Sequence, residues 1–205
     1  MRDVTRPGPE PPRGSKAFRL RPLVLGLALA LVSGVAASAQ PPARFVAPHR
    51  VRAGRAALSS ELRARLDAAR RAEPPASADA LVEFALAQTA IQLHFGLDHV
   101  TSLRFDEAER EGHCVEYAEL FVAILQHARG ALDVQAWVVR SDARILGRTI
   151  PDPAFREHDW VLVRAREGGT TRLLYLDPTF SDMGLAADLS RAVDGDVQVP
   201  ARSAH

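Results

Sequence analysis

An apolar helical stretch that begins at the only cysteine of the chain constrains the fold more than any other feature. The stretch runs from Glu111 to Gly130, and its polar side chains fall on a narrower stripe. Its apolar positions recur at helical spacing, at Val115, Ala118, Phe121, Val122 and Leu125. Glycines bound the pattern at both ends. It predicts a mostly buried helix of about four turns, with Cys114 in the first turn.

The position of this thiol leaves two interpretations open. The free N–H groups and the positive dipole end of a helix stabilise an anion, so a thiol there can have a lowered pKa and react as a thiolate. A lone cysteine on an apolar helix is otherwise a small core residue. A single cysteine forms no internal disulfide, so in an exported protein it would be an intermolecular link or a working thiol.

The first 39 residues have the pattern of a secretory signal peptide. Residues 1–21 are basic, residues 22–39 carry no charge, and Ala37-Ser38-Ala39 forms a small-x-small cleavage site. We therefore expect removal of residues 1–39 and an exported, periplasmic or secreted protein. The alternative is an inner-membrane anchor formed by residues 22–39, a run that is short for a membrane span.

Without these residues the charge balance becomes slightly acidic. The full chain has 26 basic and 25 acidic residues, of which the first 39 residues hold six and two. The remaining 20 basic and 23 acidic residues give a formal charge of −3, which removes the electrostatic basis for binding nucleic acid. We expect no nucleic-acid partner and contact with a membrane only through the N-terminal segment; the oligomeric state stays open.

The rest of the chain is long enough for one domain. Residues 40–57 are interpreted as a proline-containing linker, and residues 58–205 as a single domain. Helices are predicted at Leu58–Arg71 and from Ser77 or Asp79 to about Phe95.

A sheet is predicted after the cysteine helix, with strands at Val134–Arg140, His158–Arg164 and Thr171–Leu176. Ser141–Glu157 is predicted to be a long connection that could wall or cover a cleft. Glycines between the last two strands indicate a hairpin, and Val197–Val199 could add a short edge strand.

The hairpin brings His158 close to the residues that follow the last strand. A loop at Gly168-Gly169 would place His158 opposite Thr179, and a loop at Glu167-Gly168 would place it opposite Asp177. The second register would let the Asp177 carboxylate reach the imidazole, because directly opposed residues point to the same face.

Together with Cys114, the His158 imidazole and the Asp177 carboxylate are the side-chain types that acyl transfer requires. A thiolate attacks the carbonyl carbon, an imidazolium protonates the leaving amine, and a carboxylate fixes the ring. Backbone N–H groups at the start of the helix, including that of Cys114, could receive the oxyanion.

Three sequence blocks in the same order resemble the transglutaminase-like superfamily, a branch of the papain-like thiol enzymes. They are GHCVEYAELFVAIL, EHDWVLV and LYLDPTF. The matching features are a Gly-x-Cys with an aromatic-Ala pair at a helix start (Gly112, Cys114, Tyr117, Ala118), a His-x-Trp opening a strand (His158, Trp160), and an Asp-Pro-Thr after the next strand (Asp177, Pro178, Thr179). The resemblance covers about Leu81 to Thr179.

The resemblance implies an α+β fold with a papain-like or transglutaminase-like core over about residues 81–180, in which N-terminal helices and the cysteine helix pack on an antiparallel β-sheet. It implies Cys114 as the nucleophile, His158 as the acid and base, and Asp177 as the orienting carboxylate. The sequence shows no cofactor motif, and we expect no cofactor and no metal. Zinc binding by the same three residues is a distant alternative without a close ligand pair.

The expected function is hydrolysis of an amide bond in a peptide or protein of the cell envelope, through a thioester on Cys114. An amine in place of water would make the enzyme a transglutaminase; hydrolysis is favoured because the chain is small and lacks the extra domains of the large cross-linking enzymes that it resembles. The alternative is a binding or scaffold protein on the same fold, with a silent cysteine.

The remaining polar and aromatic candidates are expected to have structural roles. Trp137, Trp160 and Tyr117 are predicted to pack. The side chains expected at the surface or in loops are His94, His99, His113, His127, Asp159 and those of Asp106–Arg110.

Overall fold

The computed structural model describes residues 43–97, 100–105, 110–145, 147–149 and 156–200. All of them belong to one compact unit that spans Gln40–His205. The expected signal peptide, His99 and most of Asp106–Arg110 lie outside the described residues. Across the described ranges, no helix has the length and apolar character needed to cross a membrane.

The part of the chain that the structure describes contains four helices. They are α1 (Ser60–Ala72), α2 (Ala78–Gln92), α3 (Cys114–Ala128) and α4 (Pro178–Asp182). Ser59 caps α1 and Ser77 caps α2 through side-chain oxygens that accept backbone N–H bonds. The helix α3 confirms the predicted cysteine helix, and Gly130 follows its C-cap with a φ of 57°. The helix α2 ends at Gln92, three residues before the expected end, because the chain turns there into a strand.

Five strands form the main antiparallel sheet. They are β1 (Ala43–Arg52), β6 (Val134–Ile145), β7 (Arg148–Thr149), β8 (Glu157–Glu167) and β9 (Thr170–Leu176). Their order is β1-β6-β8-β9, and β7 pairs with β6. Two short parallel pairs lie outside it, β2 (Ala57–Leu58) with β4 (Arg104–Phe105), and β3 (Leu93–Phe95) with β5 (Arg110–Gly112). The fold is thus a mixed α and β fold in which α3 packs on an antiparallel sheet.

The interpretation of residues 40–57 as a linker is wrong. Ala43–Arg52 is the edge strand β1, and its Ala43 and Phe45 side chains are buried. Pro48 is tolerated because β1 lies at the sheet edge and its register shifts between Val46 and Arg50. Proline content indicated a loop, but pairing with β6 decides the structure.

The expected connection at Ser141–Glu157 is shorter than predicted. Ser141–Ile145 extends β6, with Ser141 and Ala143 buried, and Arg148–Thr149 pairs back onto it. Residues 150–155 of this connection lie outside the described residues. Val197–Val199 forms no strand. Val197 and Val199 pack instead against the buried apolar cluster that includes Phe45 and Trp160.

Alternate residues of β8 supply two separate apolar layers. Val161, Val163 and Ala165 face α2 and α3, where they join the larger core. Trp160 and Leu162 face the other side, where Phe45 and the C-terminal segment cover them. Strand β8 is therefore buried on both faces along most of its length, and it begins near His158 between the two layers.

Candidate active site

The chain reaches Cys114 through β5 and a tight helix cap. His113 is the N-cap of α3, and its ring nitrogen Nδ1 accepts a hydrogen bond from the backbone N–H of Val115 at 3.3 Å. The Glu116 carboxylate accepts in return from the His113 backbone N–H at 3.4 Å, which completes a capping box. Cys114 is therefore the first residue of α3, and the residue is partly exposed.

The pKa of the Cys114 thiol is lowered from 9.0 to about 6. Burial alone would raise it, but the charge of His158 and hydrogen bonds from His113 and His158 outweigh that effect. The backbone N–H of Asp159 also donates a hydrogen bond to the sulfur. Cys114 is thus mainly a thiolate at neutral pH.

His158 links the thiol to a carboxylate. Its Nε2 donates a hydrogen bond to Asp177 Oδ2 at 2.6 Å, which leaves Nδ1 as the ring nitrogen for Cys114. Its ring stacks on Phe45 at a centroid distance of 5.0 Å and contacts Phe180 at 5.9 Å. Burial lowers the pKa of His158, but the negative charges of Asp177 and Cys114 raise it well above 6.5. The ring is therefore held in position and favours the imidazolium form.

Asp177 is fully buried, and both of its carboxylate oxygens are occupied. Oδ2 accepts from His158, and Oδ1 accepts from the backbone N–H groups of Thr179 at 2.9 Å and Phe180 at 3.3 Å. Asp177 thereby caps α4 and orients the imidazole at the same time.

The hairpin adopts the first of the two expected registers. Glu167 pairs with Thr170 across the glycine turn, and the ladder extends to the pair of Val161 with Leu176. If this register is continued, His158 lies opposite Thr179, and Asp177 lies two positions before Thr179 on the same face of the sheet. The register with His158 directly opposite Asp177 is wrong, yet the contact forms because diagonal neighbours on one face are within reach.

His113 is a residue that the sequence interpretation missed, since it was expected to face solvent. Its Nε2 lies 3.0 Å from Thr101 Oγ1, and its Nδ1 lies 3.2 Å from Glu116 Oε2. The hydrogen bond with Cys114 raises the pKa of His113, burial lowers it, and the charge of Glu116 raises it further. The available signal was a side chain with hydrogen-bonding capacity directly before the cysteine and a glutamate three residues later, which is the pattern of a capping box.

Asp159 was expected at the surface, but this expectation is wrong, because the residue is only 1% exposed. Its carboxylate accepts hydrogen bonds from Arg52 at 2.8 Å and from Arg140 at 2.5 Å and 3.1 Å. Arg52 also pairs with Glu119 of α3, a fully buried carboxylate that accepts from the backbone N–H of Arg55 at 2.5 Å. This buried ion network ties β1, β6 and β8 to α3 next to the thiol.

The other aromatic candidates have the expected packing roles. Trp160 is fully buried and donates its indole N–H to Ser141 Oγ at 2.9 Å. Tyr117 is fully buried and donates its O–H to Asp182, and burial raises its pKa. Trp137 is half-buried against the apolar layer under β1.

Two further histidines can be placed. His94 is exposed on β3, as expected. His127 is not solvent-facing, because it is partly buried and lies 3.0 Å from Asp67.

The geometry thus brings Cys114, His158 and Asp177 together at the N-terminal end of α3. A thiolate, an imidazolium and a buried carboxylate in this order can attack a carbonyl carbon, protonate a leaving group and hold the ring. No family model, curated protein or solved structure matches the chain.

Proposed function

We propose that the protein is a transglutaminase-like cysteine hydrolase that cleaves amide bonds in peptides or proteins through a thioester on Cys114. The observation that carries the proposal is the lowered thiol pKa of about 6 beside the His158–Asp177 pair. The arrangement of α3 against the sheet that bears His158 is what a papain-like core would have, and we propose that core for residues 81–180. Residues 1–39 suggest that the enzyme acts in the cell envelope.

The first half of the reaction transfers the acyl group to sulfur. The Cys114 thiolate forms a bond to the scissile carbonyl carbon, and the carbonyl electron pair moves to the oxygen. The backbone N–H of Cys114 donates a hydrogen bond to this oxyanion. When the carbonyl re-forms, the C–N bond breaks and the leaving amine takes a proton from His158 Nδ1.

The second half releases the acid. His158, now neutral, removes a proton from a water molecule that attacks the thioester carbon, and the C–S bond breaks to restore the thiolate and the imidazolium. Asp177 accepts from Nε2–H throughout and keeps Nδ1 directed at the reacting groups. An amine in place of water would give transamidation by the same steps.

The experiment is the rate of Cys114 alkylation by iodoacetamide against pH, in the 40–205 protein and in His158→Ala. The thiolate is the reacting form, so the rate should rise with a midpoint near pH 6 in the wild type and well above it in the variant. The midpoint is the readout, because a thiolate of lower pKa is also intrinsically less nucleophilic.

A peptide library then tests the reaction itself. New termini that appear with the wild type and are absent with Cys114→Ala would support hydrolysis. An alkylation midpoint near the ordinary thiol pKa of about 8.5, unchanged in His158→Ala, would contradict the proposal and leave a binding or scaffold protein with a silent cysteine.

A further inference from the structure

The large apolar side chains that are exposed within the described residues are concentrated on two segments. Four lie between residues 91 and 100, and one follows α4. We call this set the apolar rim: Ile91, Phe95, Leu97, Val100 and Met183, which are 36% to 90% exposed. A cluster of exposed apolar side chains typically marks a binding site, because it costs solubility without a partner.

Three separate contacts connect the apolar rim to the start of α3. Phe95 pairs with Gly112, two residues before Cys114. Val100 precedes Thr101, whose hydroxyl lies 3.0 Å from the ring of His113. On another segment, Met183 follows Asp182, which accepts the hydrogen bond of Tyr117 in the first turn of α3. These contacts place the backbone of three rim positions close to the first turn of α3.

The rim also borders a concave surface. Ile91 lines a cavity of about 360 Å³ together with Ala90, Leu93 and His94. The Glu111 side chain lies over Gly96, and Glu111 pairs with His94 of the cavity lining across β3 and β5. This combination can accept an apolar side chain and disfavours an acidic one.

We infer that the apolar rim binds apolar side chains of an extended peptide whose scissile carbonyl lies at Cys114. The inference rests on the proposed function and adds a substrate class to it. A transient peptide is favoured over a permanent partner or a second copy of the chain, because a permanent occupant of the rim would also cover Cys114, which is partly exposed.

The test is protection of Cys114 from iodoacetamide by three acetylated and amidated pentapeptides. They are identical except for leucine, serine or glutamate at the second and fourth positions. The leucine peptide should halve the alkylation rate at a concentration about tenfold lower than the serine peptide, as expected for burial of leucine side chains. The glutamate peptide should protect least.

Variants at exposed rim positions test whether the leucine side chains of the peptide bind to the apolar rim. Ile91→Asn and Met183→Gln should reduce the difference between the leucine and serine peptides to about threefold or less, each measured against its own rate without peptide. Ala131→Asn, an exposed apolar-to-polar change beyond the far end of α3, should keep the full difference.

Equal protection by all three peptides, or a difference that survives both rim variants, would overturn the inference. A dimer that covers the rim, detected by sedimentation together with a lack of peptide protection, would overturn it as well. The midpoint of the alkylation rate against pH without peptide tests the proposed function separately. A midpoint near the ordinary thiol value would contradict that function, while the protection ratio would still report on the rim.

Discussion

Two imidazoles from different elements act on the Cys114 thiol, and they do so in different ways. His158 on β8 lowers the thiol pKa mainly through its charge, whereas His113 at the helix cap contributes through a hydrogen bond. His113 is in turn held by Glu116 and Thr101. The reactive thiol therefore depends on the helix cap as well as on the paired strands.

We expect His113→Asn to raise the midpoint of Cys114 alkylation above pH 6, but by less than His158→Ala does. Asparagine preserves the N-cap, so the change removes the imidazole and leaves the helix start intact. The order follows from the larger effect of His158 on the thiol pKa. The measurement is the pH profile of alkylation by iodoacetamide.

The matched control is the same substitution at the other end of α3. His127→Asn removes an imidazole that pairs with Asp67 and not with the thiol, so the alkylation midpoint should not move. A shift in this control equal to that of His113→Asn would mean that the helix as a whole, rather than the adjacent imidazole, sets the pKa.

Arg50 and Arg52 lie two residues apart on β1 but have different surroundings. Arg52 joins the buried carboxylates of Glu119 and Asp159, whereas Arg50 pairs with Glu157 at the surface. Arg52→Ala should lower the free energy of unfolding by about 3 kcal/mol, the low end for breaking a buried ion pair, because both carboxylates keep other donors. Arg50→Ala should change it by less than about 1 kcal/mol. Urea unfolding of both variants gives the comparison, and equal losses would contradict it.

At the scale of elements, the turn between β8 and β9 sets the register that places Asp177. Gly168 and Gly169 have φ values of 55° and 82°, the left-handed pair that a two-residue hairpin turn requires. Gly168→Asn should be nearly neutral, since asparagine tolerates this conformation. Gly169→Val should cost at least about 1 kcal/mol of unfolding free energy, because a β-branched side chain is strained there. If valine were tolerated as well as asparagine in urea unfolding, the turn would not control the hairpin.

The sequence permits prediction of elements whose signals are local. The helix at Cys114 and the strands that carry His158 and precede Asp177 follow from apolar periodicity and glycine positions, so the three candidate residues could be placed on their elements. The register could not be fixed, because two turns differing by one residue both fit the glycines. The contact between His158 and Asp177 can form in either register, because the two registers shift Asp177 by two positions and keep it on the same face of the sheet.

Features that depend on distant partners could not be predicted. Asp159 is buried because Arg52 and Arg140 neutralise it from two other strands, and neither pairing is visible in local sequence. Strand β1 was not recognised because of Pro48 and the two prolines that precede the strand, although its pairing with β6 decides its structure. His113 was missed because exposure was inferred from its type and not from its place at the cap.

At the scale of the whole molecule, the two ends of the described chain complete the site together. Phe45 on β1 stacks on His158 and also exchanges backbone hydrogen bonds of 2.8 Å with Ala192 and Asp194. The C-terminal segment also holds the chain after β9, since the backbone N–H of Asp177 donates to Ala187 at 2.8 Å. The imidazole and its carboxylate are thus supported by segments more than a hundred residues apart in sequence.

We therefore expect the 58–205 protein to lose cooperative folding, although the sequence alone suggests that it is the complete domain. Removal of β1 would expose the edge of β6, take Phe45 from the buried layer and leave Glu119 without Arg52. The 40–205 protein should unfold in one sharp thermal transition by near-ultraviolet circular dichroism, and the 58–205 protein in a broad one or none. Sharp transitions within about 4 °C of each other, the shift that roughly 1 kcal/mol produces in a domain of this size, would instead mean that β1 is an accessory strand. His158 would then have to be held by Asp177 and Phe180 alone.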